Sequence, residues 1–197
     1  MPKLKVKGIF CLEGDWEWDL RDRSSVDPVL QLLERSNDPA IPYIRRDVGT
    51  VPEFEYYLKK WTLKRYQSYS ILYLGFHGDP GMLYVGGQRN PVTNLDWIED
   101  RLAGKCTKRI IHFGSCGTLD VHGGRLNSFL KNTNALAVCG YKAPVDWMAT
   151  AAFEIILLSE LQRNALTRPG MRAVKNRVNQ MATRLARDLA FRMVVAP

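Results

Sequence analysis

Two short motifs carry side chains that could do chemistry. His77-Gly78 follows the apolar run Ser70 to Phe76, and Gly114-Ser115-Cys116-Gly117 follows the run Arg109 to Phe113. An imidazole beside a thiol can take its proton, and the thiolate is the attacking species. Both runs read as strands buried on two faces, and in open parallel sheets reactive groups gather outside the C-terminal strand ends. If the two strands are neighbours, His77 and Cys116 lie about one strand spacing apart, roughly 5 Å. Gly78 lets the backbone approach a substrate, so its N–H and that of Cys116 can face a developing oxyanion. Gly114 and Gly117 flank the cysteine in a turn that exposes its sulfur.

The elements around these motifs alternate short β-rich runs with longer helical ones, which predicts an α/β, three-layer α-β-α sandwich around a mostly parallel sheet. Strands are expected over Leu4–Leu12, Ile41–Val48, Ser70–Phe76, Arg109–Phe113 and Ala135–Tyr141. Asp27-Pro28 opens a helix through Leu33, and Thr50-Val51-Pro52-Glu53 begins one carrying Phe54, Leu58, Trp61 and Leu63 inward. Asn94 caps a helix that Gly104 ends, another runs from Arg125 to Lys131, and Asp146 caps a long apolar helix, Trp147 to Leu161. Turn residues at Gly78-Asp79-Pro80-Gly81 and Gly86-Gly87 make Met82–Val85 a small hairpin or flap. The chain is expected to be a single domain, 1–197. A basic C-terminal helix, 169–191, would dock on it through Met171, Val174, Val178, Met181, Leu185 and Leu189.

Composition narrows the class. At 46% hydrophobic and 24% charged, the 197 residues are ordinary globular material rather than disordered or low-complexity sequence. No uncharged apolar run approaches the roughly 18 residues of a membrane helix, and the N-terminus lacks a signal-peptide core. Four cysteines without Cys-x-x-Cys spacing argue against zinc and against a disulfide framework, so the expected setting is reduced and cytoplasmic. The net charge of +8 invites a nucleic-acid reading, but residues 163–197 hold eight basic side chains against one acid, leaving 20 against 19 in the first 162. The basic segment lacks aromatic interleaving and any known nucleic-acid motif.

A strand ending in His-Gly, a flap, a helix, then a strand ending in small-small-Cys resembles the caspase and hemoglobinase superfamily of cysteine peptidases. The likeness is greatest to its CHAT-type members, and it continues through Ala135–Tyr141, Val145-Asp146-Trp147 and Ala151–Leu161. The resemblance implies a catalytic dyad at His77 and Cys116, with an oxyanion hole at the Gly78 and Cys116 amides and no metal or organic cofactor. It implies peptide-bond hydrolysis through a thioester acyl-enzyme, with a protein or peptide substrate, and a single domain without appended sensors points to control by a partner protein. Metacaspases usually have an acid just before Ser-Cys, where this chain has Gly114. Caspases activate by cleavage in a long segment after the cysteine, whereas Cys116 to Ala135 is short and contains a helix. In the superfamily the loop after the first strand supplies a charge to the substrate pocket. Glu13, Asp15 or Glu17 would favour a basic substrate residue, Arg21 or Arg23 an acidic one, and Asp146 has a second role near the site beside helix capping.

Each reactive residue also has a plainer reading. Cys11 and Cys139 fit core positions, and Cys106, in a polar turn, is expected to be an exposed thiol. His122-Gly123 competes with His77 for the role of base but lacks a strand to anchor it. His112 fits a satisfied core histidine, and Trp147 a core residue. Two other functions stay open: a catalytically inert caspase-like module that binds a protein, and anion or nucleic-acid binding through the basic C-terminal segment. Nucleic acid and membrane are the disfavoured partners.

Overall fold

Four strands are buried along their whole length: β1 Ile9–Glu13, β3 Ile71–Gly75, β7 Ile110–Phe113 and β8 Ala137–Tyr141. A strand with apolar residues on both faces must be covered on both, and the computed structural model shows how. It describes residues 5–17, 19, 21–36, 38–86 and 93–197. With β2 Tyr43–Asp47 and β9 Phe191–Val195, these strands form one six-stranded sheet in the order β2-β1-β3-β7-β8-β9. All neighbours are parallel except β8 and β9. The fold is therefore α/β with a mostly parallel sheet between two helical layers.

Alternation along the strands divides the core. Phe10, Leu12, Leu72, Leu74, Ile111 and Phe113 face α2 Val51–Trp61, α3 Leu95–Leu102 and α4 Gly123–Thr133. Ile9, Cys11, Ile71, Tyr73, Ile110 and Cys139 face α1 Asp27–Ser36, α5 Trp147–Gln162 and α6 Arg168–Met181. Helix starts follow the expected chemistry. Thr50, Asn94 and Asp146 each accept a backbone N–H two or three residues into the helix they cap. Between β3 and α3 a small antiparallel sheet is inserted, β4 His77–Asp79, β5 Met82–Tyr84 and β6 Thr93–Asn94. Its first turn has Pro80 followed by Gly81 at φ +75°, a conformation that suits glycine. Expectations for Leu4 and Gly87 fall outside the described residues.

The C-terminal segment differs from expectation. The helix expected over 169–191 is two helices and a strand: α6, then α7 Thr183–Asp188, then β9. Ala182 breaks the helix at φ −128°, and Ala190 turns the chain at φ +47°. The aromatic and β-branched run Phe191-Arg-Met-Val-Val then pairs with β8 instead of continuing the stripe. Met181, placed in that stripe, is exposed, as is Leu63 after α2. The basic charge is also divided. Arg163 and Arg177 approach Glu160, Arg184 and Arg187 approach Asp188, and Arg192 donates to the carbonyls of Leu119 and Val121.

Gly140 in β8 sets how closely β7 approaches, since a Cβ there would stand 2.6 Å from the Phe113 carbonyl oxygen. Gly140→Ala is expected to lower unfolding free energy by about 1–3 kcal/mol, the usual range for overpacking. Urea denaturation checks this, and an unchanged midpoint with an unchanged m-value would show that the strands part at no cost.

Candidate active site

β3 and β7 are parallel neighbours, with Leu74 opposite Phe113. Both chains therefore leave the sheet at the same edge, and the residues that follow are held together. His77 and Cys116 line one cavity of about 160 Å³, shared with Trp16, Tyr73, Val145, Trp147, Thr150, Ala151 and Glu154. Both are only partly buried.

Several contacts join the hairpin that carries His77 to the turn that carries Cys116. The Gly81 N–H donates to the Thr118 carbonyl at 3.0 Å. Ser115 donates to the Thr118 hydroxyl, which donates in turn to the Met82 carbonyl. Gly78 is buried against this turn, and a Cβ on it would fall 2.2 Å from Thr118 Oγ1 and 3.0 Å from the Cys116 carbonyl oxygen. Glycine is thus required by close approach. After the cysteine, Gly117 turns at φ +62° and its N–H donates to the Ala143 carbonyl. The two Arg192 bonds hold the next turn of the loop to β9.

His77 Nε2 lies 2.6 Å from the Trp16 carbonyl oxygen. A carbonyl only accepts, so Nε2 carries the hydrogen, and Nδ1 is the basic nitrogen of the neutral ring. Trp16 also meets the His77 and Trp147 rings edge-on, with centroids 5.5 and 5.0 Å away. Its indole donates to Glu13 Oε1 at 2.7 Å. Glu13 is 1% exposed and also accepts from the Val26 N–H, the Ser25 hydroxyl and Arg45 Nε. It fastens the loop after β1 rather than lining the cavity.

None of the charged residues expected at the substrate pocket borders this cavity. Asp15, Glu17 and Arg23 line a separate polar cleft on the Trp16 loop, and Arg21 pairs with Asp19 in solvent. Asp146 accepts the Ala149 N–H as a helix cap. His122 caps α4 through Nδ1 and is exposed, away from the cavity. Cys11 and Cys139 are core residues as expected, but Cys106 is fully buried rather than exposed. Burial pushes its thiol up to about 12. Among the described residues, no group of three ligating side chains could hold a metal, and no helix is long and apolar enough to cross a membrane.

Trp147 is 40% exposed and borders the cavity rather than the core. With Thr150, Ala151 and Glu154 it forms a helical i, i+3, i+4, i+7 face, a spacing legible in the sequence around the isolated acid Glu154. Glu154 is the central polar residue that sequence reasoning missed. Cross-strand register places Tyr73, His112 and Cys139 in one row beneath it. His112 Nε2 donates to Glu154 Oε1 at 2.9 Å, Tyr73 to Oε2 at 2.6 Å and Tyr141 to Oε1 at 3.1 Å. His112 Nδ1 meets Cys139 Sγ at 3.4 Å. Burial alone would depress the imidazole pKa, but the Cys139 sulfur and the Glu154 carboxylate outweigh it and hold His112 up at about 10. The buried carboxylate is thus matched by a buried imidazolium.

The chain belongs to the family of unknown function DUF6642, whose model matches residues 6–194. No curated protein matches it.

The His112 proton is linked to stability. Its folded pKa lies above the ordinary 6.5, so its contribution is complete below about pH 6.5 and is lost as pH rises toward 10. Cys11, Tyr73 and Tyr141, raised chiefly by burial, add losses only above the ordinary thiol range, about 8.5. The unfolding free energy from urea denaturation is therefore expected to fall between pH 6.5 and 8.5, with a limiting slope of about 1.4 kcal/mol per pH unit and the midpoint falling with it. It should stay level in the double variant His112→Gln, Glu154→Gln, which removes both charges. A wild-type midpoint independent of pH over this window would contradict the ion pair.

Proposed function

We propose that the protein is a cysteine peptidase of the caspase-like type, with His77 as base and Cys116 as nucleophile. The observation that carries this reading is that the two side chains border one partly open cavity at the ends of adjacent parallel strands. The hydrogen bond from His77 Nε2 to the Trp16 carbonyl supports it, because it fixes the imidazole in the wall of the cavity that Cys116 also lines. In the reaction, Nδ1 removes the Sγ proton and the thiolate forms a C–S bond to the substrate carbonyl. The Gly78 and Cys116 amides face the oxyanion that forms. Collapse breaks the C–N bond, with the imidazolium giving its proton to the leaving amine. Water then attacks the thioester, the imidazole takes its proton, and the acid and free thiol are released. The anion-binding reading gains less support, since much of the C-terminal basic charge is engaged in ion pairs or, at Arg192, in holding the loop after Cys116.

A panel of peptides differing in the residue before the scissile bond tests the assignment. Cys116→Ala is expected to abolish cleavage, and His77→Ala to lower it about 10²–10⁴-fold, with unchanged circular dichroism in both. Iodoacetamide should label Cys116 near pH 6 much faster than it labels an unperturbed thiol such as free cysteine, and His77→Ala should remove that advantage. Cleavage that survives Cys116→Ala would refute the assignment, and uniformly slow labelling would favour an inert binding module.

A further inference from the structure

The walls of the cavity beside Cys116 are largely apolar: Trp16, Trp147, Val26, Val29, Val145 and Ala151. Beside His77 and Cys116, its polar groups are Glu154, Tyr73 and Thr150. Glu154 and Tyr73 are each 1% exposed, and the buried Thr150 hydroxyl has no hydrogen-bond partner among the described residues. Glu154 Oε2 accepts one hydrogen bond, from Tyr73, and a carboxylate oxygen can accept another. The lining thus combines aromatic rings with groups able to accept a hydrogen bond.

Resting on the peptidase reading, we infer that this cavity holds the side chain of the residue whose carbonyl Cys116 attacks, and that this side chain is an uncharged aromatic with a donor at its tip, a tyrosine. Size, shape and charge agree. Apolar protein cavities of about 150 Å³ take up benzene, and the space here is about 160 Å³. A ring lying beside the packed Trp16–Trp147 pair meets aromatic edges and faces, the geometry aromatic pairs favour. A phenol hydroxyl beyond it can donate to Glu154 Oε2 or Thr150 Oγ1, satisfying a buried acceptor that otherwise counts against folding.

Charge excludes the competitors. Glu154 is already neutralised by His112 at 2.9 Å, so a lysine or arginine would bring an unmatched cation into an apolar site. An aspartate or glutamate would likewise bring an unmatched anion there. The substrate charge expected from Glu13, Asp15, Glu17, Arg21 or Arg23 has no counterpart among the residues that line the cavity.

Two measurements test this separately from the peptidase reading. For peptides identical except before the scissile bond, wild-type kcat/KM is expected to be about tenfold higher for Tyr than for Phe. It should be about a hundredfold higher than for Arg, Lys or Asp, because each brings an unmatched charge into an apolar site. Thr150→Val should bring the Tyr to Phe ratio toward one. A preference for Arg, Lys or Asp overturns the inference and leaves the peptidase. Independently of cleavage, p-cresol should shift the indole N–H resonances of Trp16 and Trp147 in the Cys116→Ala protein, toluene less, and butylammonium not at all. Ala151→Phe, with its cooperative melt retained, should abolish the p-cresol shifts. If p-cresol binds but no peptide is cleaved, the aromatic site stands and the peptidase reading falls. If p-cresol leaves both indoles unmoved, the inference is overturned whatever the peptides show.

Discussion

The parallel pairing of β3 with β7 is the constraint on which the site depends. Parallel strands end at the same edge, and Leu74 opposite Phe113 brings the chain out at the same level twice. Everything chemical follows within three residues of those exits. His77 begins the inserted hairpin, and Cys116 sits in a turn that the hairpin grips through Gly81, Met82 and Thr118. Gly78 and Gly140 permit the approach. Each lies where a methyl group would strike backbone oxygen or a short side chain, so the distance between these segments is set by the absence of side chains as much as by any attraction.

Two buried carboxylates then shape the cavity from opposite sides. Glu13 gathers Trp16, Ser25, Val26 and Arg45, converting an acidic loop into a fixed wall with Trp16 at its tip. Glu154 gathers Tyr73, Tyr141 and His112 beneath the floor. A buried charge without partners costs several kcal/mol, so each acid is tolerable only because its neighbours donate to it. Trp16 joins the two halves, since its indole serves Glu13, its carbonyl fixes the His77 tautomer, and its ring packs on Trp147.

Much of this was legible beforehand. The buried strands that lead to His77 and Cys116 and the caps Thr50, Asn94 and Asp146 follow from local chemistry, because a strand buried on both faces and a capped helix start each announce themselves in residue type. The C-terminal segment was not legible, because Met171 to Leu189 keeps a helical spacing through Ala182, where the helix breaks. The alternation in Phe191–Val195 gains meaning only once β8 offers an edge to pair with. Cys106 looked exposed in a polar turn, and it is the packing around its turn, beyond any local pattern, that buries it.

The sequence by itself determined the layers, the parallel sheet and the two strand ends carrying His77 and Cys116, since burial pattern, turn glycines and cap residues act over a few neighbouring positions. Tertiary structure alone decided which acids do what. Glu13 and Glu154 are drawn inward by donors distant in the chain, Arg45 and His112, while Asp15 and Glu17 remain in solvent. Cross-strand register set that outcome. It brought Tyr73, His112 and Cys139 into one row beneath Glu154, an arrangement that depends on how three strands are aligned and on nothing within any one of them.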